Sequence, residues 1–206
     1  MATRGRQGFE PMNEDRLTAD VEKLKLGLKT LPEPAASPAL VVVSGLPGTG
    51  KSHFSRRLAQ SLPSAILESD VLRKQLFPVP DYSAQESQRL FGACHRLIEE
   101  LLRSGITVIF DATNLVEQHR ERLYRICDSL RVKLIIVWVK APREVVRERL
   151  QNRRNGADAG DNSEADWSVY QRMKLRVESI SRNHFVVDTS RDISPVVDKI
   201  LREAKR

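Results

Sequence analysis

From Ala39 onward, short apolar runs alternate with segments whose apolar residues recur every three or four positions. Residues 39–44, Ala-Leu-Val-Val-Val-Ser, form a β-branched run without polar alternation, which reads as a strand covered on both faces. A helix is predicted over 51–61 and a second short strand over 65–68. A long helix is predicted over 83–104, with Leu90, Cys94, Leu97, Ile98 and Leu101 on its inner face. Further strands are expected over 106–110, 133–139 and 185–187. Further helices are expected over 116–130, 142–154, 166–181 and 195–204, Pro142 suiting the first turn of its helix. No internal repeat is visible. The alternation of strand and helix predicts an α/β fold with a parallel sheet covered on both faces.

Ahead of this domain, which spans 39–206, residues 1–38 read as an N-terminal arm. Residues 1–12 are polar, carry Gly5, Gly8 and Pro11, and predict disorder. Asn13 or Asp15 is placed to cap a helix running to about Thr30, with Leu17, Val21, Leu24 and Leu28 on one face. That face suits packing on the main domain first and a partner second. Pro32, Pro34 and Pro38 make a stiff connector.

Composition narrows the class. Hydrophobic residues are 40% and charged residues 30% of the chain, the proportions of a globular protein. No apolar run approaches the ~18 residues of a membrane span, and the first residues lack the apolar core of a signal peptide. The two cysteines, Cys94 and Cys127, have no metal-binding spacing and are expected as buried reduced thiols in a cytoplasmic protein. His53, His95, His119 and His184 are scattered and suit surface or core positions, as do Trp138 and Trp167. Arg176 and Arg182 read as helix-surface residues. The formal net charge of +7 suits a polyanionic partner such as nucleic acid, although it is spread along the chain.

The candidate chemistry begins after the first strand. Gly45, Leu46, Pro47, Gly48, Thr49, Gly50, Lys51 and Ser52 match GxxxxGK[ST] between a buried strand and a helix. Glycines let successive backbone N–H groups turn inward toward phosphate oxygens, and the helix N-terminus adds partial positive charge. Lys51 is expected to reach the β- and γ-phosphates of ATP, and Ser52 to ligate Mg²⁺. His53 follows at the edge of the loop and is not itself a required ligand.

Two acidic sites follow. Asp70 and Arg73, in Glu-Ser-Asp-Val-Leu-Arg, share one face at the start of a helix beyond the second strand. A carboxylate there can take a proton from an attacking hydroxyl, and the arginine can hold a phosphate or the acceptor. Asp70 also suits a plain helix cap. The third strand ends in Phe-Asp111-Ala-Thr113-Asn114, where an acidic residue supports Mg²⁺ in many P-loop sites and where the same residues are ordinary turn formers. Finally, Arg143, Arg147, Arg149, Arg153 and Arg154 line the helix over 142–154. It runs into a small-residue, acidic loop over 156–164. Such cations could close over a transferring phosphoryl group or form a solvated face.

In order, GLPGTGKS, ESDVLRK, FDATN, APREVVRERLQNR, DWSVYQRM and FVVDTS resemble the AAA-33, zeta-toxin-like P-loop kinase family. The resemblance covers about Leu40 to Ile200. It implies a five-stranded parallel sheet with the DATN strand beside the P-loop strand, and a helical lid at about 143–165. By position it makes Asp70 the general base and Arg73 the arginine that orients the acceptor. Arg149 and Arg153 match lid arginines, and Asp111 and Asn114 match the DATN strand end. The SDxxR and DATN pair is most similar to polynucleotide 5′-hydroxyl kinases, which implies a single-stranded nucleic-acid 5′ end as acceptor. A small-molecule hydroxyl, on a metabolite, nucleotide sugar or antibiotic, is the alternative. An ATP-binding switch or weak ATPase, working through a partner docked on residues 13–30, stands as a different class.

Overall fold

The computed structural model describes residues 14–28, 30–154 and 165–205. The disorder expected over 1–12 and the loop expected over 156–164 lie outside the described residues. Five strands, β1 (Ala39–Ser44), β2 (Ala65–Glu68), β3 (Val108–Asp111), β4 (Lys133–Lys140) and β5 (Phe185–Asp188), form one sheet in the order β2-β3-β1-β4-β5. Every pairing is parallel. The DATN strand, β3, lies beside the P-loop strand, β1, with Val43 opposite Asp111. Chain order reverses on either side of β1, so the crevice beyond its carboxyl end is where an open α/β sheet holds a ligand.

Helices cover both faces. On one lie α1 (Glu14–Leu26), α3 (Ser69–Leu76), α4 (Ala84–Arg103) and α5 (Glu117–Leu130). On the other lie α2 (Lys51–Ala59) and α8 (Ser194–Ala204). The period-two alternation of each strand divides its side chains between the two cores. Leu40 and Val42 enter the first, whereas Val41 and Val43 enter the second. A third, smaller cluster joins Leu46 and Leu115 to Val146 and Leu150 of α6 (Arg143–Arg154) and Tyr170 of α7 (Trp167–Lys174). Trp138 and Trp167 pack on it. Cys94 and Cys127 are both free thiols in the first core, where burial pushes each up to about 12. Among the described residues no helix is long and apolar enough to cross a membrane.

The arm helix is part of the domain. Val21 and Leu24 are almost wholly buried in the first core, each contributing roughly 1.5–3 kcal/mol of burial energy. Asp20, also buried, accepts two hydrogen bonds of 2.6 Å from Arg89 of α4. The helix stops at Leu26, short of the expected Thr30. There Gly27 N–H and Leu28 N–H turn back to the Leu24 and Lys25 carbonyls.

The helix expected over 166–181 ends at Lys174. Beyond it the backbone is bound by other elements instead of by itself. Glu178 N–H donates to the Leu115 carbonyl, and the Glu178 and Ser179 carbonyls accept from Arg120. Arg176 and Arg182 therefore lie outside any helix. Arg182 forms a bidentate pair with Asp128 and lies over the Tyr124 ring.

Candidate active site

The loop Gly45–Ser52 turns around a single carbonyl. Leu46 O accepts from Thr49 N–H (3.3 Å), the Thr49 hydroxyl (2.7 Å) and the Lys51 ammonium (3.1 Å). Two glycines are required sterically. A Cβ on Gly45 would sit 2.4 Å from the Val139 carbonyl oxygen, and Gly50 caps α2 in the left-handed region at φ 87°. Phe54, Ser55 and Leu58 bury one face of α2, so its N-terminus is fixed facing the crevice. His53 projects into solvent.

Asp111 lies at the meeting of three strand ends, opposite Val43 on one side and Glu68 on the other. Its carboxyl is pushed up to about 6, chiefly by burial; Lys51 and Ser52 pull it down, and Glu68 and Asp70 add to the rise. One carboxylate oxygen, Oδ2, is buried and accepts no hydrogen bond among the described residues. An orphaned buried carboxylate oxygen near a hydroxyl is a hard-oxygen donor set that fits Mg²⁺. Among the described residues no group of three His, Cys, Asp or Glu is disposed to hold a metal. The donors therefore fit an ion completed by nucleotide phosphates and water, as Mg²⁺ sites of this type are.

Asp70 lies in the first turn of α3, half-buried, and close enough to Asp111 to raise it. Arg73, one turn on, is buried at 6% exposure. Its Nη1 donates to Glu86 and its Nη2 to the Ser87 hydroxyl (3.3 Å), and the guanidinium lies 4.8 Å from the Tyr82 ring centroid. Its charge is thus neutralised from within. Glu86 is a functional candidate that local pattern does not mark, because it reads as an ordinary first-turn acid of α4.

The arginine helix rests directly on the phosphate loop. Val146 and Leu150 are buried against Leu46, so the described half of the expected lid is anchored by apolar contact. Arg149 donates to the Thr189 hydroxyl (2.8 Å) and carbonyl (3.0 Å), and that hydroxyl donates to the Thr49 carbonyl (2.6 Å). Arg149 also approaches Gly50 closely. Arg153 is half-buried one turn further along the same face. Thr189 lies just beyond β5, within the FVVDTS segment, which marks the position in sequence without showing its contact to Thr49.

Asn114 is buried at φ 45° and its amide donates to the Val43 carbonyl (3.3 Å). Its own carbonyl accepts from the Ser44 hydroxyl (3.0 Å) and from Arg120 (2.5 Å). Here the DATN turn is latched to the base of the phosphate loop. Arg120 is fully buried and reaches Glu117, Asn114, Glu178 and Ser179 together. It is the largest structural element that sequence reading missed.

Residues 40–180 match the AAA_33 family, described as an AAA domain. The L-seryl-tRNA(Sec) kinase of Methanococcus maripaludis is 30% identical over 115 residues, 53% of this chain and 44% of that protein. The KTI12 homolog of Mus musculus is 29% identical over 165 residues, 77% of this chain and 45% of that protein. The chain thus spans less than half the length of either relative. Kti12 of Chaetomium thermophilum, solved in complex with ADP-AlF3, has the same fold at a TM-score of 0.63 and 24% identity. The match covers 79% of this chain and 97% of that one. None of these three is named a polynucleotide kinase, so they do not carry the narrower likeness expected from SDxxR and DATN. The family match covers more than half of the sequence, and on that basis the chain belongs to the AAA_33 family of P-loop, kinase-like AAA domains.

Proposed function

We infer that the protein is an ATP-dependent kinase that passes the γ-phosphoryl group to a hydroxyl acceptor. The observation that carries this is the buried, unpartnered Asp111 oxygen beside Lys51 and Ser52, with Asp70 near it in the first turn of the helix that follows the neighbouring strand. Asp70 accepts no hydrogen bond from the described residues and can receive a proton. A nucleotide-binding switch has no need of that second carboxylate. Its docking helix would also be α1, whose apolar face is already buried in the core.

In this reading the loop N–H groups and Lys51 hold the β- and γ-phosphates, and Ser52 and Asp111 hold Mg²⁺. Bound there, Mg²⁺ supplies charge neutralisation at the phosphates. The acceptor oxygen forms a bond to the γ-phosphorus in line as the β–γ bridging P–O bond breaks. ADP departs, and Asp70 takes the hydroxyl proton. Arg149 and Arg153, on the helix resting over the loop, face the developing charge. The acceptor is a hydroxyl carried by nucleic acid, such as a 5′ end. The net charge of +7 supports this, as does a relative named for a tRNA substrate. A small hydroxylic metabolite is favoured by one observation: Arg73, the residue placed to grip an acceptor phosphate, is neutralised by Glu86.

The test is transfer from γ-labelled ATP with Mg²⁺ to a 5′-hydroxyl oligonucleotide beside a pool of small hydroxylic metabolites. Label on the oligonucleotide, lost in Lys51→Ala and reduced by orders of magnitude in Asp70→Asn, is the expected result. Label only among the metabolites replaces the acceptor. ATP binding with transfer to neither overturns the kinase reading.

A further inference from the structure

Two arginines of α6 take no part in the chemistry above. Arg143 and Arg147 are exposed and lie one helical turn apart on one face. Both guanidiniums sit over a single ring, that of Trp167 in α7, at 5.4 and 5.8 Å from its centroid. The indole is itself held in place. Asp166 caps α7 by accepting from Val169 N–H (2.9 Å). The Tyr170 ring, buried in the third cluster, stacks on Trp167 at 4.8 Å with 15° between the planes. Trp167 thereby joins the cluster in which Val146 and Leu150 seat α6 on Leu46 of the phosphate loop.

This pair differs in its chemistry from the other arginines of the fold. Arg73, Arg89, Arg120 and Arg182 each lie against a carboxylate. Among the described residues, Arg143 and Arg147 touch only the indole, and no hydrogen bond or ion pair takes their N–H donors. The ring quadrupole restrains a guanidinium without using the donors in its plane. Glu144 and Glu148, the acids of the same helix, each follow one of the two arginines and so lie about 100° further round the axis. Arg172 and Lys174 add exposed positive charge on α7, where the Asp166 carboxylate is already held by Ser168 and Val169.

We propose that Arg143 and Arg147, held on Trp167, form a docking surface for the phosphodiester backbone of a single-stranded nucleic acid. This deepens the kinase reading above and rests on it for the strand's role as acceptor. Charge complementarity selects the partner. Planar guanidinium forks suit phosphate oxygens bidentately, and cations repeated along α6 and α7 suit an anion whose charge is repeated along a chain. The net charge of +7 is of the same sense. Because the indole orders the two arginines before binding, less side-chain freedom is lost when a strand arrives. The helix that carries the pair also seats on the phosphate loop, so a strand held there is tethered to a wall of the cleft.

The test is fluorescence anisotropy of a 3′-labelled, 5′-hydroxyl single-stranded hexanucleotide, read against salt concentration on the full chain. Each phosphate contact on a single strand contributes about −0.7 to the slope of log affinity against log salt. Arg143→Gln/Arg147→Gln should therefore flatten the slope by about 1.4 and weaken binding about tenfold at low salt. Arg143→Lys/Arg147→Lys keeps both charges but not the planar forks, and should keep the slope while binding more weakly. Arg96→Gln/Arg125→Gln removes the same net charge from exposed positions on α4 and α5, and should change affinity by no more than about twofold. Equal losses in the two glutamine doubles overturn the inference, because they reduce it to net charge. Absent binding of the strand, or an unchanged slope in Arg143→Gln/Arg147→Gln, overturns it as well. So does tighter binding of an acidic peptide or of phosphatidylserine vesicles than of the strand. Transfer from γ-labelled ATP separates this surface from the kinase reading. If the strand binds through the pair while neither it nor a metabolite is phosphorylated, the surface stands and the kinase reading fails. If the strand is phosphorylated with the same KM in wild type and Arg143→Gln/Arg147→Gln, the kinase reading stands and the surface fails.

Discussion

Replacing Asp111 with asparagine should make the nucleotide-free protein more stable while weakening its response to Mg²⁺ and ATP. Burial raises the Asp111 carboxyl from 3.8 to about 6. The folded state therefore holds this proton more tightly than the unfolded chain does. Below pH 3.8 both states are protonated and the site is neutral to stability. As pH rises through 6 the folded state must accept a buried charge, and stability falls; above pH 6 the full cost is present. Two pH units at ~1.4 kcal/mol each give a cost of about 3 kcal/mol at pH 7.5, declining to roughly 1 kcal/mol at pH 4.5. Asp111→Asn removes the charge and keeps the shape. Urea unfolding without metal or nucleotide should show a midpoint higher by roughly 1–2 M at pH 7.5, with a smaller gain at pH 4.5. Adding Mg²⁺ and ATP should then stabilise the wild type strongly and the variant weakly, because binding to the folded state adds RT ln(1 + [L]/Kd). A gain independent of pH, or a variant less stable than wild type at pH 7.5, would refute an uncompensated buried carboxylate at this position.

Thr189→Val removes the hydroxyl that joins Arg149 to the Thr49 carbonyl, and should weaken ATP binding by about tenfold in calorimetry while Thr189→Ser keeps it. Arg120→Ala removes the donor shared by the Glu117 carboxylate and the Asn114, Glu178 and Ser179 carbonyls and empties a fully buried position, and should cost at least ~3 kcal/mol in urea unfolding. Burial pushes His95 down to about 3, with the Arg122 and His119 charges adding to the effect. The unfolded chain therefore takes up this proton first, so stability is complete above pH 6.5 and falls as pH drops toward 3. His95→Phe, which keeps a ring against Phe91 and Phe110, should flatten that acid limb by up to ~1.4 kcal/mol per pH unit.

The nucleotide half of the site was legible because its chemistry is local. Gly45 to Ser52 must turn within eight consecutive residues between a strand and a helix, and residue types alone dictate that turn. Asp111 was legible for a related reason, as an acid closing an apolar run. The acceptor half was legible only in part, because it is made of side-chain pairs between elements. Asp70 and Arg73 stand out locally in one helix turn, but Glu86, which pairs with Arg73 from the next helix, reads as an ordinary first-turn acid. Thr189 reaches Thr49 across 140 residues. The helix expected over 166–181 overran for the same reason: its polar periodicity is sound, but Arg120 takes the Glu178 and Ser179 carbonyls that would continue it.

These arginines also change the meaning of the net charge. A surplus of +7 suggests a surface waiting for phosphate. Yet Arg73 is neutralised by Glu86, Arg120 lies wholly inside the fold, and Arg149 braces Thr189 against the phosphate loop. Each holds one part of the cleft to another: Arg73 the acceptor loop to α3, Arg120 the DATN turn to residues 178–181, and Arg149 the arginine helix to the loop after β5. Phosphate affinity then falls mainly to backbone N–H groups and Lys51. A substitution that breaks an arginine clamp should therefore alter acceptor selectivity before it alters ATP affinity at Arg73, and in the reverse order at Arg149.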